Sequence, residues 1–259
     1  MLRRKSRAAT RTKKRIARRV ARSLHNGVVL WEGPSALDGN QIAVIATGIR
    51  KASANPKTGP MVQVWILRAD VRPDRAVKSG ADASVCGGCK FRPANGGGCY
   101  VKTFQAPLSV WKSYRAGQYP AADGSELVGK RVRLGAYGDP GAVPASVWTR
   151  ALEGVTGWTG YTHQWRHRPD LKALCMASVD DAAEAAEASA LGWRYFRVRA
   201  LGEAIVLAKE IECVNTSSGK SCYDCGLCKG ATLGAKSIYI DAHGAGAKRI
   251  RGSLNVLQA

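Results

Sequence analysis

Four of the eight cysteines of this 259-residue chain fall within sixteen residues, in "EIECVNTSSGKSCYDCGLCKG" (210–230): Cys213, Cys222, Cys225 and Cys228. The last three keep the spacing C-x-x-C-x-x-C. Cys86, Cys89 and Cys99 form a second group upstream, in "SVCGGCKFRPANGGGCYV" (84–101). Thiols gathered in this way are held as thiolates for a soft metal, so each segment must be a loop that brings its sulfurs to a common point. A disulfide framework is the weaker reading, since such frameworks belong mostly to small secreted domains. With 45% apolar residues, this chain can bury a core without staples. No apolar run reaches the length of a membrane span, and the basic start is not followed by the apolar stretch of a signal peptide. These features predict a reducing, cytoplasmic setting and no membrane partner.

The spacing discriminates between metals. Zinc usually draws its tetrahedral ligands from two separated C-x-x-C knuckles. A tight run of three with a remote fourth, Cys213, instead follows ferredoxin-type 4Fe–4S sites, where the loop wraps a cubane and each sulfur reaches a different iron. Iron–sulfur is therefore expected at the C-terminal group, with zinc as the alternative metal. The first group offers three thiolates. On a second four-iron cluster they would leave one iron open for a substrate or cofactor; otherwise they hold zinc with a fourth ligand from elsewhere. The eighth cysteine, Cys175, sits in an apolar stretch and reads as a core residue.

The net charge of +21 is unevenly spread: eleven of the forty Lys and Arg residues lie in the first 26 positions, which hold no acid. They are Arg3, Arg4, Lys5, Arg7, Arg11, Lys13, Lys14, Arg15, Arg18, Arg19 and Arg22. Like charges at this density repel, so residues 1–27 read as a disordered basic tail until an anion organises it. The phosphates of DNA or RNA are the expected anions, bound with a steep salt dependence. A solubilising tail or an organelle-targeting peptide is the competing reading.

Beyond the tail, residues 28–130 read as a β-rich segment. "VVLWEG" (28–33), "QIAVIATGI" (41–49) and "MVQVWILRAD" (61–70) are extended, and the turn-forming "NPKTGP" (55–60) joins the last two. "APLSVWKSYRAG" (106–117) reads as a helix. From 131 to 259, strand-like and helix-like stretches alternate. "RVRLGAYGDP", "GWTGYTH", "LKALCMASVD", "RYFRVRAL", "AIVLAKEI" and "KSIYIDAHG" are the strands; "PASVWTRALEGV" and "DAAEAAEASALGW" are the helices, the latter opened by Asp and closed by Gly. This alternation predicts βα units on a mainly parallel sheet. The fold class is α/β, a partial or distorted (β/α) barrel, with an open doubly wound sheet as the second choice. Residues 28–259 are expected to fold as one unit.

In such folds the active face lies beyond the carboxyl ends of the strands. Polar residues gather there: Tyr137 and Asp139; Thr162, His163, Gln164, Trp165, Arg166 and His167; Ser178 and Asp180; Arg197 and Arg199; His243. Asp139 and His163 are the candidate proton-handling catalytic residues. The bland alternative makes Asp139 and Asp180 helix caps or turn residues.

A three-cysteine loop, a partial barrel and a four-cysteine cluster near the C-terminus together resemble radical-SAM enzymes that carry an auxiliary cluster. That family's loop reads C-x-x-x-C-x-x-C, with an aromatic before its last cysteine; here a nine-residue gap precedes Cys99, and Tyr100 follows it. Closer still, "WEGPSALDG", "SVCGGC…GGGCYV", "GAYGDP" and "GWTGYTHQW" resemble a phage- and plasmid-borne cysteine-cluster family similar to divergent radical-SAM-like barrels. The resemblance runs from Trp31 to about His243. It implies the fold and a phage or plasmid context, hence the cytoplasm of a phage host, and it assigns no reaction; the cysteine spacing gives one or two 4Fe–4S clusters, and the radical-SAM likeness adds S-adenosylmethionine as a further cofactor. The leading expectation is an iron–sulfur enzyme acting on DNA or RNA. The alternative is a non-enzymatic nucleic-acid-binding protein, such as a phage replication or packaging factor, with structural clusters. A rolling-circle nicking enzyme would need H-x-H, and the nearest pair here is His163 and His167. Neither a phosphate-binding P-loop nor H-E-x-x-H is present.

Overall fold

The structure is a computed structural model, and it describes residues 25–200, 203–205, 209–231, 234–243, 247 and 249. The eleven basic residues from Arg3 to Arg22 lie outside the described residues, as does part of the strand expected at 204–211.

The chain opens with an antiparallel meander, β1 (Gly27–Pro34), β2 (Gln41–Thr47) and β3 (Val62–Arg68). A long crossover holds α1 (Pro73–Ser79), α2 (Ala83–Cys86) and α3 (Ala106–Arg115), and returns to β4 (Arg131–Tyr137), parallel to β3. The first cysteine loop lies within this crossover, between α2 and α3. After β4 come α4 (Ala145–Ala151), β5 (Gly157–Thr159), β6 (Tyr161–Thr162), β7 (Met176–Val179), α5 (Ala182–Ala190) and β8 (Tyr195–Arg199). The last elements are β9 (Glu210–Glu212), α6 (Val214–Ser218), α7 (Cys222–Cys225) and β10 (Ser237–Asp241).

The strands form two five-stranded sheets, ordered β1-β2-β3-β4-β5 and β6-β7-β8-β10-β9. Six of the eight pairings are parallel, as the alternating pattern predicts. Only Gly160 separates β5 from β6. Its carbonyl accepts from Met176 N at 2.9 Å, and its N–H donates to Cys228 O at 3.2 Å. A Cβ here would stand 3.0 Å from Cys175 Sγ and 3.2 Å from Leu134 Cδ1, so glycine lets the backbone pass where the sheets meet. The outer strands, β1 and β9, do not pair with each other among the described residues.

Local sequence accounts for the elements. Residues 42–46 of β2 are all buried, so both faces of that central strand are covered. Asp181 caps α5 by accepting from Glu184 N at 2.8 Å, and Glu184 reaches back to Asp180 N at 3.0 Å. One buried core runs from Val28 to Tyr195 and includes Leu134, Trp148 and Trp165. Each large aliphatic side chain fully buried there contributes about 1.5–3 kcal/mol. Cys175 is fully buried in this core, as its apolar setting predicts. A smaller apolar cluster joins Met176, Ile238 and Ile240 to Cys213 and Cys228.

Candidate metal centre

The segment "GAYGDP" builds the floor of the site. Gln63 pairs with Arg133 but Trp65 pairs with Tyr137, so β4 bulges outward between them. Gly135 lies in the bulge at φ +66°, where a Cβ would fall 2.5 Å from Gly138 O. Such bulges re-aim side chains beside functional sites; here Arg133, Gly135 and Tyr137 all line one cavity. Asp139 then caps the turn at 140–142, accepting from Gly141 N at 2.7 Å. It also accepts from Thr162 Oγ1 at 2.6 Å and His163 N at 2.7 Å. The cap reading of Asp139 is thus visible in its bonds: three donors engage this buried carboxylate and tie β4 to the end of β6.

The nine-residue gap in the first cysteine group closes on itself. Cys99 N donates to Phe91 O at 2.9 Å, which returns Cys99 to the neighbourhood of Cys89. Gly97 permits the return, since a Cβ there would meet Lys90 O at 2.1 Å. Arg92 clamps the loop, gripping buried Asp82 with two hydrogen bonds, at 2.7 and 3.0 Å, and Gly87 O at 3.1 Å. Lys90 anchors it to the start of α5, 3.0 Å from Glu184 and 3.9 Å from Asp180. His163 Nε2 stands 3.8 Å from Cys89 Sγ and 3.7 Å from Asp180 Oδ1. Burial alone would lower the pKa of His163, but the sulfur and the carboxylate outweigh it and hold the imidazole well above its ordinary value. Burial also pushes the Cys86 thiol well above its ordinary range.

The second group is assembled from two short helices. Cys213 follows β9, with its N–H on Tyr239 O at 2.8 Å. Ser221 caps α7, accepting from Asp224 N at 3.2 Å, so Cys222 and Cys225 sit one turn apart on the same helical face. Gly226, at φ +65°, then turns the chain and returns Cys228. The loop is pinned to the fold by Cys222 N on Lys57 O at 2.9 Å, by Tyr223 N on Thr58 O at 3.2 Å, and by Arg131 on Tyr223 O. Tyr161 hydrogen-bonds Cys228. Burial raises the Cys228 thiol to about 12 against the pull of that hydroxyl.

All seven grouped cysteines line the same cavity of about 310 Å³. The sequence did not reveal this convergence. Tyr137, Gly138, Asp139, His163, Ser178 and His243 line it too, as expected of strand-end residues. Others do not serve it. Trp165 is core, Arg166 pairs with exposed Glu187, Arg197 pairs with Glu203 and Glu210, and Arg199 pairs with Asp241. Arg133, Tyr161 and Phe196 line the cavity unforeseen, although the alternation in "RVRLGAY" already puts Arg133 and Tyr137 on one face. The Tyr137 hydroxyl and Asp180 Oδ1 are buried without a hydrogen-bond partner.

Among the described residues, no three His, Cys, Asp or Glu side chains stand where they could hold a single metal ion. A tetrahedral zinc–thiolate site would set its sulfurs about 3.8 Å apart. Comparisons with protein-family models, curated proteins and solved structures found no match to this chain. No helix among the described residues is long and apolar enough to cross a membrane.

Proposed function

We propose that this chain is an iron–sulfur protein acting on DNA or RNA, built on a partial (β/α) barrel whose concave side is the working cavity. The observation that carries the reading is that both cysteine groups face that one cavity. Among the described residues, seven thiols in a space lined by a single acid, Asp139, form a soft donor set, and the spacing of the second group follows ferredoxin-type sites. Zinc is the alternative metal. Cys213, Cys222, Cys225 and Cys228 would hold the closed cluster, and Cys86, Cys89 and Cys99 the open one. Clusters held by these cysteines would supply electrons to a ligand in the cavity, and the radical-SAM resemblance points to S-adenosylmethionine as the small-molecule cofactor.

The protein's own residues prepare that ligand's surroundings. His163 presents Nε2 to the first group, 3.8 Å from Cys89 Sγ, where it would hold a proton. Asp139 fixes the backbone that carries His163, which makes it a positioning residue. Tyr161 supports Cys228. The basic residues Arg3 to Arg22 retain the polyanionic strand, in the cytoplasm of the host cell. A non-enzymatic reading, with both clusters as braces for a phage replication or packaging factor, draws on the backbone bonds that pin the second group to residues 57 and 58.

Paired variants of the anaerobically purified chain test the enzyme reading. Cys225→Ser should lower stability and every activity, because binding at a closed site is folding free energy. Cys89→Ser should keep the fold and nucleic-acid binding, and lose both turnover and the spectroscopic response to S-adenosylmethionine. Equal unfolding of both variants, with no response to S-adenosylmethionine in the wild type, favours the bracing role.

A further inference from the structure

Arg133 differs from the other inward-facing arginines. Arg92 is neutralised by Asp82, Arg197 by Glu203 and Glu210, and Arg199 by Asp241; Arg194 is wrapped by four backbone carbonyls. Arg133 is partly buried against the cavity, and its hydrogen-bond partner is the neutral Tyr100 hydroxyl at 2.9 Å. A guanidinium carries five N–H donors. Most of those on Arg133 are therefore unspent among the described residues, and no carboxylate pairs with it there; the acidic groups within its electrostatic reach include Tyr100, Tyr161 and the Cys222 thiol, the last of which takes none of its N–H donors. Lys57 and Lys220 line the same cavity, also without a carboxylate partner among the described residues, although Lys57 lies within electrostatic reach of the Cys222 thiol. Lys57 instead meets Nε2 of His243 at 3.1 Å, while Nδ1 of that ring donates to Asp241 O at 2.8 Å. The His243 ring is thereby the acceptor and leaves the lysine charge uncompensated. Tyr137, Tyr161 and Phe196 give the same cavity aromatic lining.

We propose that Arg133 anchors the phosphate of a nucleotide unit in the cavity between the two cysteine groups, with the base against the aromatic walls. A rigid fork of donors matches phosphate oxygens in pairs, and an aromatic face takes any base. The cavity, about 310 Å³, is at the small end of ligand pockets and is shared with the two cysteine groups, which excludes a duplex and leaves room for a single unit at most. The phosphate comes either from a free nucleotide or from the end of a strand. The proposal rests on the nucleic-acid reading above and names the group recognised there.

Equilibrium binding to the full-length, anaerobically purified chain tests it. The probes are a nucleoside monophosphate and its nucleoside, a short single strand with a terminal phosphate and its hydroxyl twin, and S-adenosylmethionine. The wild type should prefer each phosphorylated probe by about tenfold or more, as expected for hydrogen bonds to a charged group. Arg133→Gln should erase that preference, and Tyr100→Phe, which keeps the guanidinium, should retain it. Preference for the free nucleotide alone assigns the site to nucleotides; preference for the phosphorylated strand as well assigns it to strand ends. The proposal is overturned if the wild type shows no phosphate preference or if Arg133→Gln keeps it. It is equally overturned if Arg133→Gln loses only S-adenosylmethionine, whose carboxylate would then be the anion bound. Should Arg133→Gln not fold, Arg133→Lys replaces it: a reduced preference supports the fork, and an unchanged one contradicts it. Failure of the broader reading looks different, since the unphosphorylated strand would then not bind the wild type at all.

Discussion

His163 Nε2 lies 3.8 Å from the sulfur of Cys89, on the strand end that Asp139 fixes through the His163 backbone N–H. The imidazole borders the cavity edge-on to Phe91, at 5.8 Å between ring centroids. His163→Gln keeps the size and a polar tip but cannot carry the proton. Turnover on nucleic acid should fall about 10²–10⁴-fold, the usual range for a general acid or base. Far-ultraviolet circular dichroism should be unchanged. Full activity in this variant would move proton handling away from His163.

Asp139 separates a positioning role from a chemical one. Asp139→Ala strands three donors in a buried setting and should cost about 3 kcal/mol or more in urea unfolding. Asp139→Asn keeps an acceptor oxygen and should lose less than half as much. If the two variants are equally stable but equally inactive, the carboxylate is itself chemical.

The bulge in β4 makes a sharper claim. Gly135→Ala must hold an L side chain at φ +66° with its Cβ 2.5 Å from Gly138 O. Strain of this kind costs about 1–3 kcal/mol before the clash is counted. The variant should melt well below the wild type and lose the alignment of Arg133 with Tyr137. A wild-type melting temperature would mean that the bulge is not present in solution.

Much of the framework was legible in the sequence because its signals are local. Apolar runs bounded by Gly and Pro gave the meander, and Asp181 with Gly192 gave both ends of the α5 segment. Helices α1 and α2 were missed, because each is under eight residues long and takes its order from packing around the cysteine loop. The cavity itself was illegible. Cys99 and Cys213 are more than a hundred residues apart, and only the parallel pairing of β4 through β10 brings their loops together. Arg133 is marked only weakly in the sequence: period-two alternation puts it on the face of Tyr137, but one basic strand residue does not stand out in so basic a chain. Asn26 holds the 48–51 turn, its side chain accepting from Arg50 N at 3.0 Å and Lys51 N at 2.8 Å, so Asn26 contributes to the described fold.

A deletion that tests the tail should therefore stop at residue 24. Removing residues 1–24 takes away all eleven basic residues of that segment and leaves Asn26 in place. Binding to single-stranded nucleic acid should weaken, and its logarithmic salt slope should flatten by about 0.7 for each phosphate that the shortened chain no longer neutralises. The melting temperature should hold. Unchanged affinity and slope would make the segment a targeting or solubility device.

The central claim is that the seven grouped cysteines hold iron–sulfur clusters around one cavity. Iron, acid-labile sulfide and zinc should be measured on the wild-type chain purified without oxygen. The account predicts a brown protein that absorbs near ~400 nm and carries about four or more irons per chain, matched by sulfide. One or two zinc ions per chain, with neither iron nor sulfide, would contradict it.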